Sequence, residues 1–188
     1  MKKILFLILC NLLFITQSFA SAQPKQWQII SDQSKIEFAT NSGNSKVGGG
    51  FGKFSGLIYF DKNNLPNSKI AIDIDLNSVK SSFYGAVDRL KTNNWFDIKT
   101  FPIAKFTSTK FSATNNNQFH CDGFLELKGK KLPIALDFAF SEYSESKAVA
   151  TGSAAIDRNA FGLGGSDDQS KTIDNLVAVK FLITAQAK

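Results

Sequence analysis

A chain of 188 residues with 22 Lys and Arg against 16 Asp and Glu, a net charge of +6, suits one domain with a single core and is basic enough to raise the question of a nucleic-acid partner. The lysines are scattered among acids and form no run, which describes a solvated surface and excludes a nucleic-acid footprint. One His and two Cys exclude a disulfide framework and any metal centre rich in those ligands.

Residues 1–22 read as a secretory signal peptide. Lys2 and Lys3 form a basic start, Ile4 to Ile15 is almost uninterrupted apolar sequence, and Ala20-Ser21-Ala22 is the small-x-small pattern of a cleavage site. The apolar run falls short of the ~20 residues of a spanning helix, so no stable membrane span is expected after cleavage. Cys10 follows Leu9 inside that run, where a lipoprotein would need a small residue. Without Lys2 and Lys3 the charge of +6 falls to +4. Cys121 is then the sole cysteine of the 23–188 domain, so no intrachain disulfide forms in an oxidising compartment and stability rests on the core.

The stretch Lys46-Val47-Gly48-Gly49-Gly50-Phe51-Gly52-Lys53-Phe54-Ser55-Gly56 invites a nucleotide reading that its spacing refuses. A Walker loop needs Gly at Val47 and Ser or Thr at Phe54, and G-x-G-x-x-G fails in both frames, at Lys53 and at Ser55. Val47, Gly49 and Phe51 instead share one face of an extended chain, and after a one-residue switch Gly56, Ile58 and Phe60 do, which predicts a strand corner.

From there the period is two. Ile36/Phe38, Ile58/Phe60, Ile70/Ile72/Ile74, Phe119/Cys121/Leu125/Leu127, Leu132 to Phe140 and Val177/Val179/Phe181/Ile183 alternate with polar residues, and Asn, Asp, Gly and Lys clusters separate them. Asp61 to Asn67 begins like a calcium loop but lacks its later ligands and glycine, and reads as a hairpin turn. A sheet wet on one side and apolar on the other is satisfied by closure with the apolar side inward: an all-β, single antiparallel barrel of about eight strands. Ile72, Ile74, Phe106, Leu136, Phe138 and Phe181 are predicted to face its interior.

Only Ser82 to Lys91 departs from that period. Phe83, Val87 and Leu90 fall on one helical stripe, with Ser81 or Ser82 as N-cap, which predicts one short α-helix. Trp95-Phe96-Asp97 and Phe101-Pro102 follow on a connection, either as a plug closing one barrel end or as the mouth of a cavity. A large ligand cannot pass a hydrogen-bonded wall, so an entrance is expected at Trp95 and Phe96, with Arg89 and Lys91 as candidates to meet a polar end of such a ligand. His120 and Cys121, adjacent on a strand, point to opposite faces and make neither a metal site nor a nucleophile pair, so no enzyme activity, metal or cofactor is expected. Asp167-Asp168 in a Gly-rich loop read as solvated.

Several stretches together carry a resemblance over Trp27 to Ala185: Ser34-Lys35-Ile36-Glu37-Phe38; Val47 to Phe51 with Phe54 to Asp61; Leu90 to Asp97 with Phe101-Pro102 and Phe106 to Thr109; Gly123 to Gly129; Ile156 to Gly162; and Asp174 to Val177. In that order and spacing the chain resembles the YceI-like family, periplasmic lipocalin-like barrels associated with polyisoprenoid binding. The resemblance implies a periplasmic protein binding or carrying a long apolar isoprenoid lipid, a polyprenyl or a quinone, among Phe38, Phe51, Ile58, Phe60, Ile72, Ile74, Trp95, Phe96, Phe106, Leu136, Phe138 and Phe181. It leaves a homodimer open. Family members often carry histidines where this chain has Gln33, Ser42 and the run Ala86 to Arg89, so a head group met by those histidines in relatives must be met otherwise here. The alternative is a secreted structural or interaction barrel with a filled core and no lipid ligand.

Overall fold

The alternation of apolar and polar side chains builds strand segments that pair, antiparallel throughout, into one sheet. The computed structural model describes residues 23–188 except 116 and 166, so the expected signal at 1–22 lies outside the described residues. In chain order the segments are β1 (Gln26–Ile29), β2 (Lys35–Ser42), β3 (Ser45–Phe51), β4 (Phe54–Tyr59), β5 (Lys69–Asp75), β6 (Val79–Lys80), β7 (Ile103–Asn115), β8 (Gln118–Leu127), β9 (Lys130–Tyr143), β10 (Lys147–Asp157) and β11 (Leu176–Ala187). The helix α1 (Ala86–Lys91) lies between β6 and β7.

Some neighbouring segments form single strand courses with a break. β1 and β2 both pair with β11, Trp27 facing Ala187 and Ile36 facing Phe181, and are separated by the 3-10 turn Ser31–Gln33. β3 leads into β4, and β5 into β6 across the 3-10 turn Leu76–Ser78. Counted as courses, eight strands close into a barrel, with β1 bonded to β4 on one side and β11 on the other. Closure removes the exposed edges that an open sheet of this length would present.

The glycine-rich stretch is the corner between β3 and β4. The Gly52 N–H donates to the Ser78 carbonyl at 3.0 Å and the Lys53 N–H to the Ser78 hydroxyl at 2.9 Å, so this bend is tied to the turn that breaks β5 from β6. Within β3, a Cβ on Gly49 would run into the Lys80 carbonyl, and only glycine lets β3 and β6 approach so closely. Between β4 and β5, the Asp61 carboxylate accepts the Asn63 N–H at 2.9 Å, a turn held by its own aspartate.

The helix is shorter than its apolar stripe predicts. It starts after Gly85, whose φ of 68° is left-handed. Ser81 does not cap it: its hydroxyl donates to the Gly48 carbonyl at 2.7 Å and accepts the Phe83 N–H at 3.2 Å, holding residues 81–85 against β3 and out of the helix. Val87 and Leu90 still pack inward, whereas Phe83 is 42% exposed.

Two apolar clusters divide the interior. At one end the rings of Phe111, Phe119, Phe138, Phe140 and Tyr143 surround Phe60 at centroid distances of 5.3 to 6.2 Å, and the Trp27 indole donates to the Phe60 carbonyl at 3.0 Å. At the other end Leu76, Val79, Trp95, Phe96, Leu125, Leu127, Phe161 and Leu163 pack beside α1. Phe51, Ile74 and Ile134 touch both clusters.

Candidate functional site: an apolar barrel cavity with an aromatic mouth

Between the clusters the inward side chains do not fill the barrel, and a cavity of about 460 Å³ remains. Period-two geometry puts Phe38, Phe51, Ile58, Phe60, Ile72, Ile74, Phe106, Leu136, Phe138 and Phe181 on its wall, and the connection after α1 adds Trp95 and Phe96. Every apolar residue that the sequence nominates therefore lines one space. Of the two cationic nominees Arg89 lines it and Lys91 does not. Cys121 also faces inward, fully buried, and burial pushes its thiol up to about 12, so it sits on the wall as a protonated thiol.

Trp95 and Phe96 are not the entrance. Both are buried in the cluster beside α1, and the Trp95 indole N–H donates to the Asp167 carboxylate at 2.9 Å. The lining reaches solvent elsewhere, past Thr40, Ser42, Ser81, Phe83 and Tyr84, of which Tyr84 is fully exposed. The mouth thus lies between the β2–β3 hairpin and residues 81–85, because Ser81 draws that segment to β3 instead of letting it continue α1.

The polar groups near the mouth form one assembly. Asp167 is only 16% exposed and not the solvated acid its Gly-rich setting implies, with Arg89 Nε 3.8 Å from the oxygen that binds Trp95. Its loop is folded down by the Gly164 N–H, which donates to the Asn94 carbonyl at 2.6 Å; at Gly164 φ is +79° and a Cβ would lie 2.9 Å from the indole. Lys128 completes the seam by donating to the carbonyls of Asn94 and Gly162 at 3.1 and 2.8 Å, and burial lowers its ammonium below the usual lysine range.

Arg158 is the residue sequence reasoning missed. It is 4% exposed, lies on the cavity lining, and its guanidinium donates to the carbonyls of Leu163, Ser170, Ile173 and Asp174 at 2.7 to 3.1 Å while standing 5.7 Å from the Trp95 ring centroid. Its signal was available: Ala154, Ile156 and Arg158 share one phase of β10 and its continuation, and a cation on the inward phase must have found partners.

On the outer wall, His120 Nδ1 lies 2.7 Å from Asp137 and Nε2 3.2 Å from Asp122, facing away from Cys121 as strand geometry requires. Among the described residues no group of three His, Cys, Asp or Glu is placed to hold a metal, and no helix is long and apolar enough to cross a membrane.

A family model described as the YceI-like domain matches residues 27–185. The chain belongs to that family. Its relatives include a UPF0312 protein of Shewanella denitrificans, 30% identical over 102 residues that cover 54% of this chain and 53% of the relative, so the match spans about half of that protein's length. A UPF0312 protein of Pseudomonas putida is 25% identical over 143 residues, 73% of this chain and 74% of the relative. Among solved structures, Burkholderia cenocepacia BcnA superposes with a TM-score of 0.77 at 25% identity over 83% of this chain and 98% of its own. A polyisoprenoid binding domain from Saccharophagus degradans, implicated in plant cell wall breakdown, superposes with a TM-score of 0.69 at 16% identity over 86% of this chain and 98% of that one, a likeness of fold. The YceI-like barrel here thus carries an apolar cavity, a plugged end and an aromatic-lined mouth.

Proposed function

We propose that the protein binds or carries an isoprenoid lipid, a polyprenyl chain or the tail of a quinone, in the barrel cavity, and does so in the periplasm after removal of residues 1–22. The observation that carries this reading is the cavity itself: about 460 Å³ walled by phenylalanine, isoleucine and leucine in a closed barrel. A filled structural barrel would leave no such space, so the cavity favours a ligand over the alternative. The neighbour from Saccharophagus degradans, a polyisoprenoid binding domain by description, supports the same ligand class.

Volume sets the length of tail that fits. An engineered cavity of about 150 Å³ in another protein accepts one benzene ring. By that measure this space takes on the order of eighteen carbons, roughly three to four isoprene units. A longer chain would leave its remainder at the mouth. Removing such a tail from water at about 25 cal/mol per Å² reaches micromolar affinity after the costs of association.

The direct test is organic extraction of the protein from its native compartment followed by mass spectrometry. An isoprenoid in near-stoichiometric amount is expected. No lipid above the level of a control barrel of similar size would sink the reading.

A further inference from the structure

We propose that the mouth of the cavity is a membrane-docking surface, and that Phe83 and Tyr84 insert into the headgroup region of an anionic phospholipid bilayer. The proposal rests on the reading of an isoprenoid ligand, since a lipid-carrying barrel must receive its cargo from somewhere.

Consecutive aromatics are exposed on residues 81–85, both on the cavity lining, Phe83 at 42% and Tyr84 fully. Leu176 is exposed at the same end, its carbonyl accepting the hydroxyl of Thr40 on the mouth at 2.9 Å. An exposed tyrosine beside a phenylalanine is unfavourable in water but suits an interface where the ring body meets acyl chains and the hydroxyl stays hydrated. The segment is held in that exposed position by the bonds of Ser81 to Gly48 and Phe83, which keep it from joining α1.

The surrounding charge fits anionic headgroups. On and beside α1 the cations Arg89 and Lys91 stand against Asp88 and Asp167, with Arg89 3.8 Å from the Asp167 carboxylate, whereas Lys80 directs its ammonium to Gly52 at the β3–β4 corner. Lys46, exposed on β3, adds a further cation near Gly48, and Asp168 is engaged by Lys171 at 2.8 Å. Aromatic insertion plus basic flanks is the chemistry by which peripheral proteins bind a membrane surface reversibly. It also solves a transfer problem, because a tail passing directly from acyl chains into an apolar cavity never crosses water. Leu57 and Phe124, also exposed, lie outside the cavity lining and serve as a contrast.

The test is co-sedimentation of the untagged 23–188 chain with vesicles of phosphatidylethanolamine and phosphatidylglycerol, against vesicles of phosphatidylcholine alone. The parent should bind the anionic vesicles, more weakly as salt rises. The Phe83→Ser, Tyr84→Ser double variant should bind at least tenfold more weakly at an unchanged melting temperature, and Leu57→Ser should match the parent. A parent that ignores anionic vesicles overturns the proposal, whether or not it self-associates through this patch, as does a double variant within twofold of the parent. A soluble fluorescent geranyl probe, titrated into the parent without vesicles, separates the two readings. Docking without probe binding would sink the isoprenoid reading alone, and probe binding without docking would sink the membrane surface alone.

Discussion

Trp95 and Asp167, 72 residues apart, are joined by an indole N–H donating to a carboxylate oxygen at 2.9 Å. The bond ties the connection after α1 to the loop between β10 and β11, and Arg89 Nε approaches the same oxygen at 3.8 Å. Two segments distant in sequence, α1 with its following connection and the β10–β11 loop, thereby close the barrel end that carries the mouth.

Removing that acceptor should loosen the end. Asp167→Ala leaves a buried indole N–H without its partner, and a hydrogen bond to a charged group is worth about 1.5–3 kcal/mol net. A stability loss of roughly that size is expected in denaturant unfolding, with faster exchange of a bound lipid probe. Asp167→Asn keeps an oxygen in reach of the indole and should lose less. Equal losses in the two variants would mean that charge, and not the bond to Trp95, matters at this position.

Arg158 should prove costlier still. Its guanidinium satisfies four carbonyls, and Arg158→Met leaves them to water or to nothing, at ~1–3 kcal/mol for each that stays buried. We expect a loss above ~3 kcal/mol, with hydrogen-exchange protection falling first in residues 163–174. Arg158→Lys has the charge but not the planar fork and should fall between. A methionine variant as stable as the parent would make the four bonds dispensable.

These two residues also mark where sequence reading stops. The barrel wall was legible because a period of two is local: Ile72, Ile74, Leu136 and Phe138 declare their face through their immediate neighbours. The corner at Gly52 was legible for the same reason, as a phase switch between Phe51 and Gly56. The helix was overextended because Phe83, Val87 and Leu90 satisfy a helical period, while the bond that prevents it joins Ser81 to Gly48, 33 residues away. Asp167 looked solvated because its partner Trp95 is remote, and the mouth was misplaced because burial of Trp95 depends on a loop that folds over it from across the barrel.

Phe138 tests the division between plug and cavity. It stacks on Phe119 at 5.5 Å and 25°, meets Phe60 at 5.8 Å, and also lines the cavity. Phe138→Ala should cost ~3–5 kcal/mol, less where the aromatic cluster can collapse into the gap. It should also lengthen the space toward the plug, moving the best-bound isoprenoid alcohol in a chain-length series upward from about fifteen to twenty carbons. A stability loss with no change in the preferred length would place Phe138 in the plug alone.

The last prediction concerns pH and the chain's single histidine. His120 Nδ1 lies 2.7 Å from Asp137, and that hydrogen bond, more than the one to Asp122 at 3.2 Å, raises the imidazole above its ordinary 6.5 against a smaller opposing effect of burial. The folded state therefore holds the proton more tightly than the unfolded chain. The resulting stabilisation is fully present below about pH 6.5, declines as pH rises through the raised value, and is absent above it. It should be small, because the side chain is 33% exposed and solvent screens the pair. With one histidine in the untagged protein, proton NMR follows the ring without ambiguity. A midpoint above 6.5 is expected in the parent, falling toward 6.5 in Asp137→Asn and by less in Asp122→Asn. The stability difference between the parent and Asp137→Asn should be largest near pH 6 and vanish near pH 9. A parent midpoint at or below 6.5 would mean that the contact with Asp137 does not persist in solution.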